Sequence, residues 1–79
     1  MKYNKEQEIT IDNRKLYVLS SIIYGGKNYI YAQEIDEEED DLKMSYFIYE
    51  AGINDTMVTD EILINELLKK FSEDIKERL

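Results

Sequence analysis

The sequence predicts an α+β fold in which an antiparallel sheet of four or five strands, in meander order, carries one C-terminal helix packed on a face. Two observations support this prediction. Short segments rich in Tyr, Ile, Val and Leu alternate with turn signals as far as residue 58, and from Asp60 the apolar residues recur at helical spacing. The 79 residues contain no proline, repeat or linker, so we expect a single domain over residues 1–79.

The first three strands are predicted from two turn signals. Residues 8–11 alternate as a short strand does and are followed by Asp12-Asn13, which favours a turn. Gly25-Gly26 separates residues 15–24 from residues 27–35 and suits a two-residue hairpin turn. This hairpin places four pairs opposite each other: Tyr24 and Lys27, Ile22 and Tyr29, Ser20 and Tyr31, and Leu16 and Ile35. Both of its faces carry apolar residues, so we expect the helix to cover one face and a partner the other.

The remaining strands and the helix follow from a change of period. A fourth strand is predicted over residues 42–50. Alternate residues of this strand lie on one side of the sheet, and these are Leu42, Met44, Tyr46 and Ile48. Residues 52–55 form a turn signal and residues 56–58 a short fifth strand. The helix is predicted over about residues 60–79, with Thr59 as its N-cap. Its apolar stripe is expected to be core and comprises Ile64, Leu67, Leu68, Phe71, Ile75 and Leu79.

Charge is concentrated in one segment of the chain. The net charge is -8, and the balances of residues 1–33, 34–41 and 42–79 are +2, -7 and -3. We predict an acidic loop over residues 34–41. Its candidate partner-binding residues are Glu34, Asp36, Glu37, Glu38, Glu39, Asp40 and Asp41. Because such a run repels nucleic acid, the expected partner is a basic protein surface, with no direct contact to nucleic acid.

Three interpretations of the acidic run remain open. The first is a solvated loop kept negative for solubility, which is typical of charge runs. The second is a calcium site, but the run lacks the central glycine and the alternating spacing of an EF-hand. The third is phosphate mimicry, in which the carboxylates occupy sites that a basic groove keeps for a nucleic-acid backbone.

Seven tyrosines are the second conspicuous feature. Tyrosine favours strands and also serves as an interface anchor, because its ring is apolar and its tip polar. For any single tyrosine, packing within the sheet is the simpler explanation. As a set they exceed what a small core holds, so some are expected to line an exposed face. The candidates for partner binding are Tyr29, Tyr31, Tyr46 and Tyr49.

Composition disfavours an enzyme. The chain has no histidine and no cysteine, which removes the usual general base, the thiolate nucleophile and the commonest transition-metal ligands. We therefore predict no catalytic residue, no metal and no cofactor. The N-terminus does not resemble a secretory signal, and the most apolar stretch, residues 16–24, is about half the length that a bilayer requires. These features favour a cytoplasmic protein with no membrane partner.

Five segments follow one another in a recognisable order: Ile9-Thr10-Ile11-Asp12 (opening strand and turn), Tyr24-Gly25-Gly26-Lys27-Asn28-Tyr29-Ile30-Tyr31 (second turn), residues 34–41 (acid-rich loop), Tyr46-Phe47-Ile48-Tyr49-Glu50 and residues 58–71. This order, from Glu8 to about Asp74, resembles a family of small acidic bacterial domains, domain of unknown function 1292. The family has a proline before its acidic loop, where this chain has Gln33-Glu34, and a glycine in its first turn, where this chain has Asn13-Arg14. The resemblance implies the fold and no known activity, cofactor or catalytic residue.

Two functional hypotheses follow. A very small acidic protein without His or Cys is similar in kind to phage-encoded anti-CRISPR and anti-restriction inhibitors, which implies binding to the basic surface of a nucleic-acid-handling enzyme in the host cytoplasm. The alternative is a housekeeping cytosolic domain with a structural or regulatory role. In either case, a tyrosine-rich face left uncovered by the helix predicts a partner or a homodimer.

Overall fold

The computed structural model describes residues 1–78 and shows one five-stranded antiparallel sheet followed by one helix. The sheet order is β1-β2-β3-β4-β5, so each strand pairs with the next strand along the chain. The predicted α+β meander with a C-terminal helix is therefore confirmed, and the number of strands is five. The elements are β1 (Glu8–Ile11), β2 (Arg14–Tyr24), β3 (Lys27–Asp36), β4 (Asp41–Ala51), β5 (Thr56–Met57) and α1 (Glu61–Glu77).

Two tight turns set the start of the meander. Asp12 and Asn13 have φ of 51° and 63°, and Gly25 and Gly26 have φ of 58° and 78°. A hairpin turn with both central residues at positive φ matches the right-handed twist of the strands that it joins. Tyr24 accordingly lies opposite Lys27, as the sequence predicts.

The predicted register of the β2–β3 hairpin fails beyond Ser20. Ser20 pairs with Tyr31, but Val18 pairs with Ala32, so Leu19 is an extra residue in β2. Leu16 consequently lies opposite Glu34, not opposite Ile35 as predicted. A bulge of this kind reverses the face on which later side chains lie and increases the local twist.

The bulge helps to build a core on each face of the sheet. On the helix side, Tyr29 and Ile48 pack with Leu67 and Phe71 of α1. On the opposite side, Leu16 and Val18 join a second buried cluster, which also contains Ile9, Ile11, Ile30, Ala32 and Tyr49, with Tyr3 and Phe47 packed against it. The expectation of an uncovered tyrosine-rich face is therefore wrong, because the side chains of this cluster are buried and the N-terminal residue Tyr3 packs against them.

Helix α1 begins one residue later than predicted. The side chain of Asp60, and not that of Thr59, is the N-cap: it accepts hydrogen bonds from the backbone N–H groups of Ile62 (2.9 Å) and Leu63 (3.3 Å). Of the predicted apolar stripe, Leu67 and Phe71 are buried, whereas Leu68 is 39% exposed. Leu79, the last member of the stripe, lies outside the described residues.

Candidate functional site

The acidic segment is a hairpin and not the extended loop that the sequence predicts. Residues 34–36 belong to β3 and Asp41 begins β4, with Ile35 opposite Leu42 and Asp36 opposite Asp41. Only residues 37–40 form the turn between the strands. Within it, Asp36 Oδ1 accepts a hydrogen bond from the backbone N–H of Glu38 at 3.0 Å. The pairing of the two strands therefore positions the turn at one end of the sheet.

The carboxylates of this acidic hairpin (residues 34–41) differ in exposure. The five consecutive acidic residues 37–41 are exposed, whereas Glu34 and Asp36 are partly buried at the base. Lys43 Nζ lies 3.6 Å from a carboxylate oxygen of Glu34, and Arg14 and Lys15 line the same cleft of about 400 Å³. Basic side chains thus lie among the carboxylates at the base, and Glu37 and Glu38 of the turn line the same cleft, whereas Glu39, Asp40 and Asp41 do not.

The four candidate tyrosines do not form one surface. Tyr29 is 4% exposed and Tyr49 is fully buried, so their rings belong to the core and are not accessible to a partner. Tyr31 is partly buried and stacks on Phe71 of α1, with ring centroids 5.4 Å apart. Tyr46 also stacks on Tyr31, with centroids 5.7 Å apart and planes at 12°, and is 43% exposed. Burial, and secondly the neighbouring Tyr46, raises the pKa of Tyr31.

An apolar groove beside these rings was not anticipated from the sequence. It has a volume of about 300 Å³ and lies between α1 and the β4–β5 side of the sheet. Its lining residues are Tyr31, Tyr46, Phe47, Ile48, Met57, Val58, Ile64 and Leu68. The signal for it was present, since β4 carries an apolar row that continues to Leu42, farther than a single helix can cover.

The groove and the acidic hairpin are joined by one strand. β4 begins at Asp41 in the hairpin and reaches the groove at Tyr46. Between them Leu42 and Met44 are exposed, Met44 by 84%. The surface therefore changes from strongly acidic to apolar along about six residues of β4, which lie beside residues 33–36 of β3, a length of about 10 Å.

A separate polar cluster ties the N-terminus to the β4–β5 turn. Asp55 accepts hydrogen bonds from Lys2 Nζ at 2.9 Å and from the Tyr3 hydroxyl at 2.5 Å, and Lys2 Nζ also donates to the Gly52 carbonyl. Partial burial acts to raise the pKa of Asp55, but the hydrogen bonds from Tyr3 and Lys2 and the charge of Lys2 together lower it. This cluster holds Tyr3 against the core and has no further ligand-like feature.

No group of three or more acidic side chains among residues 1–78 is arranged to hold a metal ion. No helix among the described elements has the length and apolar character needed to cross a bilayer. Comparisons with protein families, with curated proteins and with solved structures find no match.

Proposed function

We propose that this chain is a non-enzymatic protein-binding module whose acidic hairpin engages a basic protein surface. The observation that carries the proposal is the run of exposed carboxylates at residues 37–41, which comprise the turn and the first residue of β4 and are positioned by the pairing of β3 and β4. Because both strands belong to the sheet, less conformational entropy is lost on binding than with a free loop.

The kind of surface follows from the spacing and sign of these charges. Consecutive carboxylates resemble the closely spaced charges of a nucleic-acid backbone, and the net charge of -8 accelerates encounter with a cationic groove. We therefore propose an inhibitor that competes with nucleic acid for a DNA- or RNA-handling enzyme. It would act in the cytoplasm, or in that of the host if the chain is encoded by a phage.

The experiment measures binding of this protein to a panel of purified bacterial DNA-binding enzymes, including RNA-guided nucleases and restriction endonucleases. Affinity is measured at about 50 mM and about 500 mM salt, with and without duplex DNA as competitor. We expect binding that high salt weakens by about tenfold or more and that duplex DNA displaces.

Two matched variants identify the charges responsible. The hairpin variant carries Glu37→Gln, Glu38→Gln and Glu39→Gln, and the control variant carries Glu61→Gln, Glu73→Gln and Glu77→Gln, which removes three exposed charges from α1. We expect the hairpin variant to bind more weakly by about tenfold and the control to change by less than about twofold. Equal effects of the two variants, or binding indifferent to salt, would contradict the proposal and favour the housekeeping alternative.

A further inference from the structure

The far side of β4 is open over most of its length. β5 pairs with Tyr49 and Glu50 of β4, and the Val58 N–H donates to the Ile48 carbonyl at 2.9 Å. Within residues 1–78, no strand pairs with this side of β4 between Asp41 and Phe47. These seven residues therefore form a sheet edge that can accept another strand.

This edge has a bulge but otherwise few of the features that usually protect an open strand. It contains no proline, and its one lysine, Lys43, lies within 3.6 Å of Glu34 on the neighbouring strand β3. Between the pairs Gln33–Tyr46 and Ile35–Leu42, β4 has two more residues than β3 and therefore bulges at residues 43–45, where Gln33 Nε2 donates a hydrogen bond to the Lys43 carbonyl at 2.7 Å. Its exposed apolar side chains are Leu42, Met44 and Tyr46.

The two ends of the edge have different chemistry. At the Phe47 end it adjoins the apolar groove between α1 and β4–β5, and at the Asp41 end it adjoins the acidic hairpin. A strand that continues the line of β5 runs antiparallel to β4, since β5 itself does. Its N-terminal residues then lie beside the groove and its C-terminal residues beside the carboxylates.

We propose that residues 41–47 of β4 bind an extended segment of the partner by strand addition. The segment has apolar side chains at its N-terminal end, for the groove, and Lys or Arg at its C-terminal end, for the acidic hairpin. Backbone hydrogen bonds supply affinity, and the groove and the charge set direction. This inference deepens the proposed function and rests on it for the sign of the partner's charge.

A partner segment fits this edge better than a second copy of the chain does. In an antiparallel pairing of two β4 edges, the acidic turn of each copy lies beside the groove of the other, where it meets no basic side chain among the lining residues. Each copy also brings a net charge of -8. Charge repulsion therefore opposes self-pairing, whereas it favours a cationic segment.

The test uses a capped peptide of seven residues, alternating Val and Thr, with two lysines at its C-terminal end. Binding to the full chain is measured by calorimetry, and the contact is located by backbone amide NMR and hydrogen exchange. We expect new protection at alternate amides among residues 42–47 and chemical-shift changes at the residues that line the groove. A peptide with the lysines at its N-terminal end is expected to bind about fivefold to tenfold more weakly.

N-methylated peptides separate strand addition from charge attraction. Methyl groups on one alternate set of peptide nitrogens block hydrogen bonds to β4, whereas those on the other set face solvent. We expect peptides methylated on the set that faces β4 to lose the protection from hydrogen exchange at residues 42–47. Peptides methylated on the set that faces solvent are expected to bind as the unmethylated peptide does. Met44→Lys is expected to weaken binding by about fivefold, and its control Ile53→Lys, at a fully exposed turn residue, by less than about twofold.

The outcomes distinguish this inference from the proposed function. Peptide binding that perturbs only residues 36–41, equally for both lysine positions and both methylated sets, would overturn strand addition and leave the charge-based function in place. If no lysine peptide binds but an enzyme in the panel binds in a salt-sensitive way, strand addition is likewise overturned and the charge-based function stands. Slow hydrogen exchange at residues 42–47 in the absence of peptide, in a protein with the mass of a dimer, would overturn the proposal. It would show that a second copy of the chain, and not a partner segment, occupies the β4 edge.

Discussion

At the scale of single residues, Phe71 and Leu68 belong to the same helical stripe but differ in burial. Phe71 is 1% exposed and stacks on Tyr31, whereas Leu68 lines the open groove. We expect Phe71→Ala to lower the free energy of unfolding by about 3–5 kcal/mol, because it leaves a cavity in the core. Leu68→Ala is expected to cost about 1 kcal/mol. Urea unfolding at neutral pH measures both losses, and equal losses would contradict the difference in burial between the two side chains.

Asp55 gives a second prediction at the residue scale. Its pKa is lowered from 3.8 in the folded chain by Tyr3 and Lys2, so the ionised carboxylate stabilises the fold above that pH. The contribution is lost as the pH falls below 3.8 and through the folded pKa. Asp55→Asn is therefore expected to reduce stability at neutral pH and to differ little from the unsubstituted chain in strong acid.

Unfolding by urea across a pH series from about 7 to about 2 measures this difference. Asp12→Asn, in the exposed β1–β2 turn, serves as the control. It removes one carboxylate that does not belong to the cluster of Lys2, Tyr3 and Asp55. A stability difference for Asp55→Asn that stays constant across the series would show that the carboxylate charge is not what stabilises the cluster.

At the scale of elements, the bulge in β2 is joined to the end of α1 by a polar cluster. The buried Ser20 hydroxyl donates to an Asp74 carboxylate oxygen at 2.6 Å. Arg78 lies 3.5 Å from the same oxygen and also donates to the Leu19 carbonyl in the bulge. The extra residue in β2 thus contributes a backbone acceptor to the helix, which links the register shift to the docking of α1.

A double-mutant cycle tests this link. Ser20→Ala and Asp74→Ala are expected to couple by about 1–2 kcal/mol, because the hydrogen bond joins a buried hydroxyl to a carboxylate. Ser45→Ala, at an exposed residue of β4, is expected to be additive with Asp74→Ala. The measurement is urea unfolding of each single and double variant. Additive effects of Ser20→Ala and Asp74→Ala would show that this hydrogen bond does not couple the bulge to the helix.

At the scale of the whole molecule, the net charge of -8 opposes the folded state at low salt. We expect the melting temperature to rise as salt is added. The hairpin variant, with Gln at positions 37, 38 and 39, is expected to melt a few degrees higher than the unsubstituted chain at about 20 mM salt and at nearly the same temperature at about 500 mM. Calorimetry at the two salt concentrations checks this, and a lower melting temperature for the variant would show that these carboxylates stabilise the turn.

Self-association is also a property of the whole molecule. With Tyr29 and Tyr49 in the core, the tyrosine face proposed for a homodimer is absent from the surface of residues 1–78. We expect sedimentation to show a monomer at low and high salt. A dimer strengthened by salt would instead indicate that apolar surface, such as the β4 edge, pairs between copies against charge repulsion.

Features that depend on neighbours along the chain were predictable from the sequence. The turns at residues 12–13 and 25–26, the strands around them and the helix follow from local backbone preferences and from the period of the apolar residues. The position of the acidic segment between β3 and β4 is equally local. Its hairpin form was missed, because like charges favour a loop locally while the pairing of Ile35 with Leu42 extends the strands.

Other features depend on which distant segments meet. The extra residue at Leu19 is accommodated because α1 supplies Asp74 and Arg78 from more than fifty residues away, a contact that no local pattern in β2 indicates. The burial of Tyr49 and the exposure of Tyr46, three residues apart on one strand, depend on where the helix and the N-terminal segment pack. The open edge of β4 likewise exists because β5 ends after two residues and the chain turns into α1, which leaves the acidic and apolar ends of β4 accessible along one strand.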